Sequence, residues 1–205
     1  MRAVLKIIYA PAMLLGFNGV ALWIIGSGAQ HAWLMPLLLG AIGISFLVER
    51  LIPYDATWNH DRGDTVRDVM HALINEVSVY LSAALIPLLT MLSPATGLWP
   101  SDWPLWAQLL MAVLVADFGI TLCHWASHRN AWLWRLHAVH HSVKRMYGFN
   151  GLMKHPLHQA LETTVGTMPL VLAGMPLEVG LPLGLAVAIQ LLLQHSTTDM
   201  RLGPL

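Results

Sequence analysis

Four windows of this chain, at about residues 7–25, 32–48, 77–92 and 105–123, are apolar over nearly the length a bilayer demands of a helix. Roughly 20 residues at about 1.5 Å each cross a hydrocarbon core of about 30 Å. Inside lipid no water satisfies a backbone N–H or C=O, so each window must close its hydrogen bonds internally, as a helix does. Composition agrees: of 205 residues 56% are hydrophobic and 11% charged, against about 25% charged in an ordinary soluble domain. The expected fold is all-α, a multi-pass helical membrane protein. Two shorter apolar stretches, at about 160–174 and 179–193, come with Pro169, Pro176 and Pro182 and read either as a spanning hairpin or as one that only dips into the bilayer. The first apolar run lacks a small-residue cleavage site, so it reads as a span and not as a secretory signal.

Charge sets the expected orientation. With the first span running outward, the external segments are 26–31, 93–104 and 175–178, and none holds a Lys or Arg. All 11 basic residues then fall on one side: Arg2, Lys6, Arg50, Arg62, Arg67, Arg129, Arg135, Lys144, Arg145, Lys154 and Arg201. The positive-inside rule makes that side cytosolic, in a bacterial inner membrane or an endoplasmic reticulum. Trp99, Trp103 and Trp106 are expected to form an aromatic belt at the outer interface. The single cysteine, Cys123, excludes an internal disulfide framework and reads as a packing residue. The basic loops show no nucleic-acid signature, and oligomeric state is not legible. The whole chain, 1–205, reads as a single membrane-embedded domain, with N-terminal spans to about 104 and a histidine-rich region over 105–205.

Five of the 11 histidines stand in the pattern His124-Trp-Ala-Ser-His128 and His137-Ala-Val-His140-His141, directly after the fourth apolar window. On a helix, spacings of three and four project side chains from one face. Two such faces can converge on a metal, and packing alone gives no reason to cluster five imidazoles. Imidazole suits Fe, Zn, Cu or Ni, so the ligand type narrows the metal without fixing it. The site is expected on the cytosolic face.

Around these histidines, Asp117 lies inside the fourth window, in helical step with Thr121, His124 and His128. It reads either as a hydrogen-bond partner that fixes a ligand tautomer or as a polar contact between helices. Pro156 forces His155 out of helical geometry and favours a helix start there, so His155 and His158 read as capping or orienting residues or as ligands. His195 ends the last apolar stretch on the same side of the membrane.

The run Asp117-Phe118, His124-Trp-Ala-Ser-His128-Arg129, Leu133-Trp134-Arg135-Leu136-His137-Ala-Val-His140-His141-Ser142, His155-Pro156-Leu157 and His195-Ser196 resembles the fatty acid hydroxylase and sterol desaturase superfamily. The resemblance covers about residue 105 to the C-terminus. It implies a membrane enzyme with two iron ions bound by histidine, which uses O2 and electrons from a separate reductase, cytochrome or ferredoxin to hydroxylate or desaturate a lipid. It places His124, His128, His137, His140, His141 and His195 on the ligand motifs. Members carry a further HxxHH box after the segment equivalent to His195, so the sequence is expected to be part of a longer protein. The alternatives are a catalytically incomplete relative or a non-oxygenase metal protein such as a transporter. Transport ligands, however, belong at mid-membrane on several spans. A bis-histidine haem protein needs lone histidines facing each other, and His31 and His71 are expected on opposite sides.

Overall fold

The computed structural model describes residues 2–84, 97–148, 153–201 and 203. These form seven helices, and among the described residues there is no strand: α1 (Arg2–Gly26), α2 (Leu34–Leu51), α3 (Thr65–Ala84), α4 (Leu105–Arg129), α5 (Ala131–His137), α6 (Pro156–Ala173) and α7 (Leu177–Gln194). Among the described residues α1, α2 with its leading 3-10 turn, α4 and α7 are long and apolar enough to cross a membrane. The chain is a multi-pass membrane protein. The second arm of the proline-bearing pair is thus one of the four, and its Pro182 sits within the helix. The expected span 77–92 begins inside α3, and from residue 85 it lies outside the described residues.

The chain forms two compact units, the first of Met1–Thr65, Lys144–Gly151 and Leu181–Leu205, the second of Val66–Val143 and Leu152–Gly180. In the first unit Tyr9, Met13, Ala41, Val48, Leu185 and Ile189 meet in one apolar core. Pro11 removes an amide from α1 and is followed by a π-helical turn, Ala12–Phe17. Residues after α7 are stitched back by Tyr54 N to Thr197 O (2.5 Å), Asp199 N to Ile52 O (2.8 Å) and a Lys6–Asp199 ion pair. Buried Glu49 accepts from Thr197 N at 3.3 Å. Buried Arg145 donates to Asp64 (3.0 Å) and Thr65 (2.7 Å) and lies over the Tyr147 ring, so its charge is matched on every side that water has left.

In the second unit α4 packs along α6. The approach is close because glycine faces glycine: a Cβ on Gly119 would sit 2.7 Å from Val165 O and 2.9 Å from Gly166 Cα. Gly174, at φ +93°, closes α6 in the left-handed region that only glycine adopts at little cost. Trp99 departs from the expected interfacial belt. It is buried and donates to Gln108 Oε1 at 2.6 Å, while Trp103 and Trp106 are exposed as expected. An indole N–H that finds a protein acceptor no longer needs the wet interface.

Replacing Gly119 with Ala places a methyl against backbone that has no rotamer to yield. The expected loss is about 1–3 kcal/mol, read as a lowered midpoint of thermal unfolding in detergent. Gly184→Ala, where a Cβ meets nothing within 4 Å, should be close to neutral.

Candidate metal centre

The site is built by one interruption. α4 carries His124 and His128 on its last two turns and ends at Asn130, whose backbone turns extended at φ −116°, ψ 122°. The Asn130 side chain then accepts from Trp132 N (2.9 Å) and Leu133 N (3.1 Å), capping α5 at once. α5 brings in His137, and a 3-10 turn, His140–Ser142, brings in His140 and His141. Trp134 stacks on His141 with ring centroids 5.5 Å apart at 27°.

Four ring nitrogens converge. His128 Nε2 lies 3.2 Å from His124 Nε2, 3.3 Å from His137 Nε2 and 3.2 Å from His141 Nε2, and His137 and His141 are 3.0 Å apart. A neutral imidazole has one N–H and one lone pair, so one proton on His128 Nε2 satisfies only one of its three neighbours. A cation satisfies all four. Nitrogens arranged tetrahedrally at about 2.0–2.1 Å from an ion lie about 3.3 Å from one another, close to the four pairs at 3.0–3.3 Å, and all four rings offer atoms within 4.8 Å. The donor set therefore fits a transition metal such as iron or zinc.

Burial grades across the cluster: His137 is fully buried, His124 half-buried, and His128 and His141 are exposed. Burial pushes His137 from its ordinary 6.5 down to about 3, helped by repulsion from His124, His158 and His141. Burial and then His128 and His124 shift His141 the same way. Both rings are therefore neutral at pH 7, the form in which imidazole binds a metal.

Residues 109–205 match the family model described as fatty acid hydroxylase. Over 212 residues the chain is 33% identical to ornithine lipid hydroxylase OlsE of Rhizobium tropici, covering 99% of this chain and 64% of that protein. The histidine-bearing part of the chain is thus similar to fatty acid hydroxylases, and the chain spans about two thirds of the length of the relative it matches. No solved structure matches it. The paired histidines precede the triplet in the matched segment, and they meet in space through Asn130.

Of the residues singled out in the sequence, His124, His128, His137 and His141 share one point. His140 is adjacent, its ring 5.4 Å from His137 and its Nδ1 3.3 Å from Met153 O. His155 is the N-cap of α6, accepting from Leu157 N at 3.2 Å. His158 is fully buried, with its ring 4.5 Å from that of His137. His195 belongs to the first unit, where its Nδ1 lies 3.0 Å from Leu191 O. Asp117 is half-buried in α4, but the carboxylate that faces the rings is Glu162. Its Oε1 stands 3.6 Å from both His124 Nδ1 and His158 Nδ1. Glu162 was missed in the sequence although it carries the same signal as Asp117, an ionisable residue in an apolar helix, four places after His158.

For the metal-free protein the pKa shifts fix a pH dependence. The unfolded chain takes a proton on His137 near 6.5 and the folded chain near 3, so between these values unfolding binds protons. Stability is complete above about 6.5 and falls as the pH is lowered, with His141 acting in the same direction. Thermal unfolding of chelator-treated protein from pH 7.5 to 5 should show a declining midpoint; a flat profile contradicts the assignment.

Proposed function

We propose that this chain is a membrane lipid hydroxylase whose iron centre is held at the cytosolic surface by His124, His128, His137 and His141, with His140 alongside. The observation that carries this reading is the convergence of four Nε2 atoms, four of their pairs at 3.0–3.3 Å, in a segment that matches the fatty acid hydroxylase family model. The relative's name supplies a substrate class to try first, an ornithine-type aminolipid. Iron bound there would supply the oxidising power, drawn from O2, that an unactivated C–H bond requires. Electrons are proposed to come from a separate reductase, cytochrome or ferredoxin.

The chain's own residues do the rest. Leu110, Leu114, Phe118 and Leu122 recur every fourth residue as an exposed apolar stripe of α4, which offers an acyl chain a path toward His128. Trp125 and Trp132 extend it at the level of the headgroups, each under an arginine, Arg129 at 5.2 Å and Arg135 at 4.6 Å. His137 keeps the buried side dry, while exposed His128 and His141 form the rim that substrate meets.

Purified protein supplied with iron, a reductant system and ornithine lipid should yield a product heavier by one oxygen. His128→Ala should weaken iron binding at this cluster and lower product by about 10-fold or more each, since even changes around metal ligands cost about 10–100-fold in affinity or activity. His31→Ala, in the 3-10 turn before α2, should alter neither. Failure of the wild type to bind iron refutes the reading.

Sidedness is tested separately. Single cysteines at Lys144→Cys and Ser101→Cys, both exposed positions, should label from opposite sides of sealed vesicles, Lys144→Cys from the cytosolic one. Labelling of both from one side overturns the orientation.

A further inference from the structure

The four-nitrogen cluster can take a cation only if each ring turns a lone pair, and not a proton, inward. A neutral imidazole carries one proton, and which nitrogen holds it is set by what the other nitrogen meets. For His124 both surroundings are defined: its Nε2 lies 3.2 Å from His128 Nε2, and its Nδ1 lies 3.6 Å from Glu162 Oε1. Glu162 is on α6, four residues after His158, and only 2% exposed.

Three elements fix how that carboxylate is turned. Lys154, 5% exposed, donates from Nζ to Glu162 Oε2 at 2.5 Å. Asn75 of α3 donates to the Lys154 backbone O at 3.0 Å and so anchors the lysine. The carboxylate is thereby held charged, with Oε1 left toward the rings of His124 and His158. Only one of those two rings can bring a proton to it. Ser127 Oγ has a single hydrogen and donates it to Cys123 O at 2.8 Å. His158 Nε2, 2.9 Å from the same Oγ, must then be the donor in that contact. The fully buried His158 is neutral, so its Nδ1 is bare. The proton facing Oε1 has to come from His124. With its proton on Nε2 instead, His124 would set a third lone pair against a buried negative charge.

We propose that Glu162, turned by Lys154, is a positioning residue that fixes the His124 proton on Nδ1 and so leaves the Nε2 lone pair to the four-histidine cluster. Glu162 acts through His124, in the way that a metal-binding imidazole is oriented by the acceptor of its other N–H. The proposal deepens the metal-binding reading above and rests on it for its purpose. Because the tautomer is read in metal-free protein, it is decided apart from whether iron binds.

The full chain, labelled with 15N at histidine Nδ1, purified in detergent and treated with chelator, is examined by NMR at pH 8, about 1.5 units above the ordinary imidazole pKa. Protonated and bare ring nitrogens resonate far apart, and His124→Gln identifies the His124 signal by its loss. Wild type should show His124 protonated at Nδ1. The pair Lys154→Met and Glu162→Leu, made together so that neither charge is left buried alone, should move that signal toward the bare form. The same double variant should bind Zn2+ about 10–100-fold more weakly at wild-type helicity, the usual cost of losing a partner behind a ligand. A bare Nδ1 on His124 in the wild type overturns the proposal, and that spectrum decides alone if the double variant fails to fold. A folded double variant that keeps both the Nδ1 proton and the Zn2+ affinity of the wild type also overturns it.

Discussion

A continuous helix could not build this centre. Nine residues separate His128 from His137, which on one helix would be about 13.5 Å of rise and half a turn of rotation, yet their Nε2 atoms lie 3.3 Å apart. The arrangement depends on stopping one helix and starting another within a single residue. Asn130 does both, its backbone leaving the helical region and its side chain taking the first amides of α5. Asparagine is suited to this because its short amide competes with the helix for backbone donors. The angle set there determines whether two sets of helix-spaced rings share a point or look past one another.

Much of the membrane fold was legible because lipid leaves the backbone few choices: α1, α2 and α4 follow directly from apolar length. The histidine pairs were legible because a 3.6-residue period leaves a mark in sequence. What escaped depended on pairing across elements. Trp99 read as interfacial because an indole's usual wet partner is implied by its type, while its actual acceptor, Gln108, is a matter of local folding. Asp117 and Glu162 gave equal signals, and only the packing of α4 on α6 decides which carboxylate meets His124. The short proline-bearing stretches gave no decision from composition, since proline in a membrane helix is tolerated wherever neighbours restore the lost bond.

The electrostatics of the centre run from a dry interior to a wet rim. His137, held neutral by burial, stands between two donor groups of different kind, one of rings alone and one with a carboxylate. Glu162 is buried and matched by Lys154 on one oxygen, so its negative charge is kept while the other oxygen faces the His124 and His158 rings. A buried ion pair of this sort contributes little net stability. Its value lies in keeping a charge where the fold would otherwise expel it.

The glycine contact between α4 and α6 acts as a fulcrum. Gly119 lies five residues before His124, about 7.5 Å along the axis, and the two backbones touch there with no side chain to absorb strain. A small change of crossing angle at that point is carried up α4 to His124 and up α6 to Glu162 in opposite senses. The spacing of donors is therefore governed from within an apolar helix pair, more than a turn away from the site itself. Variation is free to accumulate on the outward stripe of Leu114, Phe118 and Leu122, where exposed side chains can grow or shrink and leave the fulcrum alone.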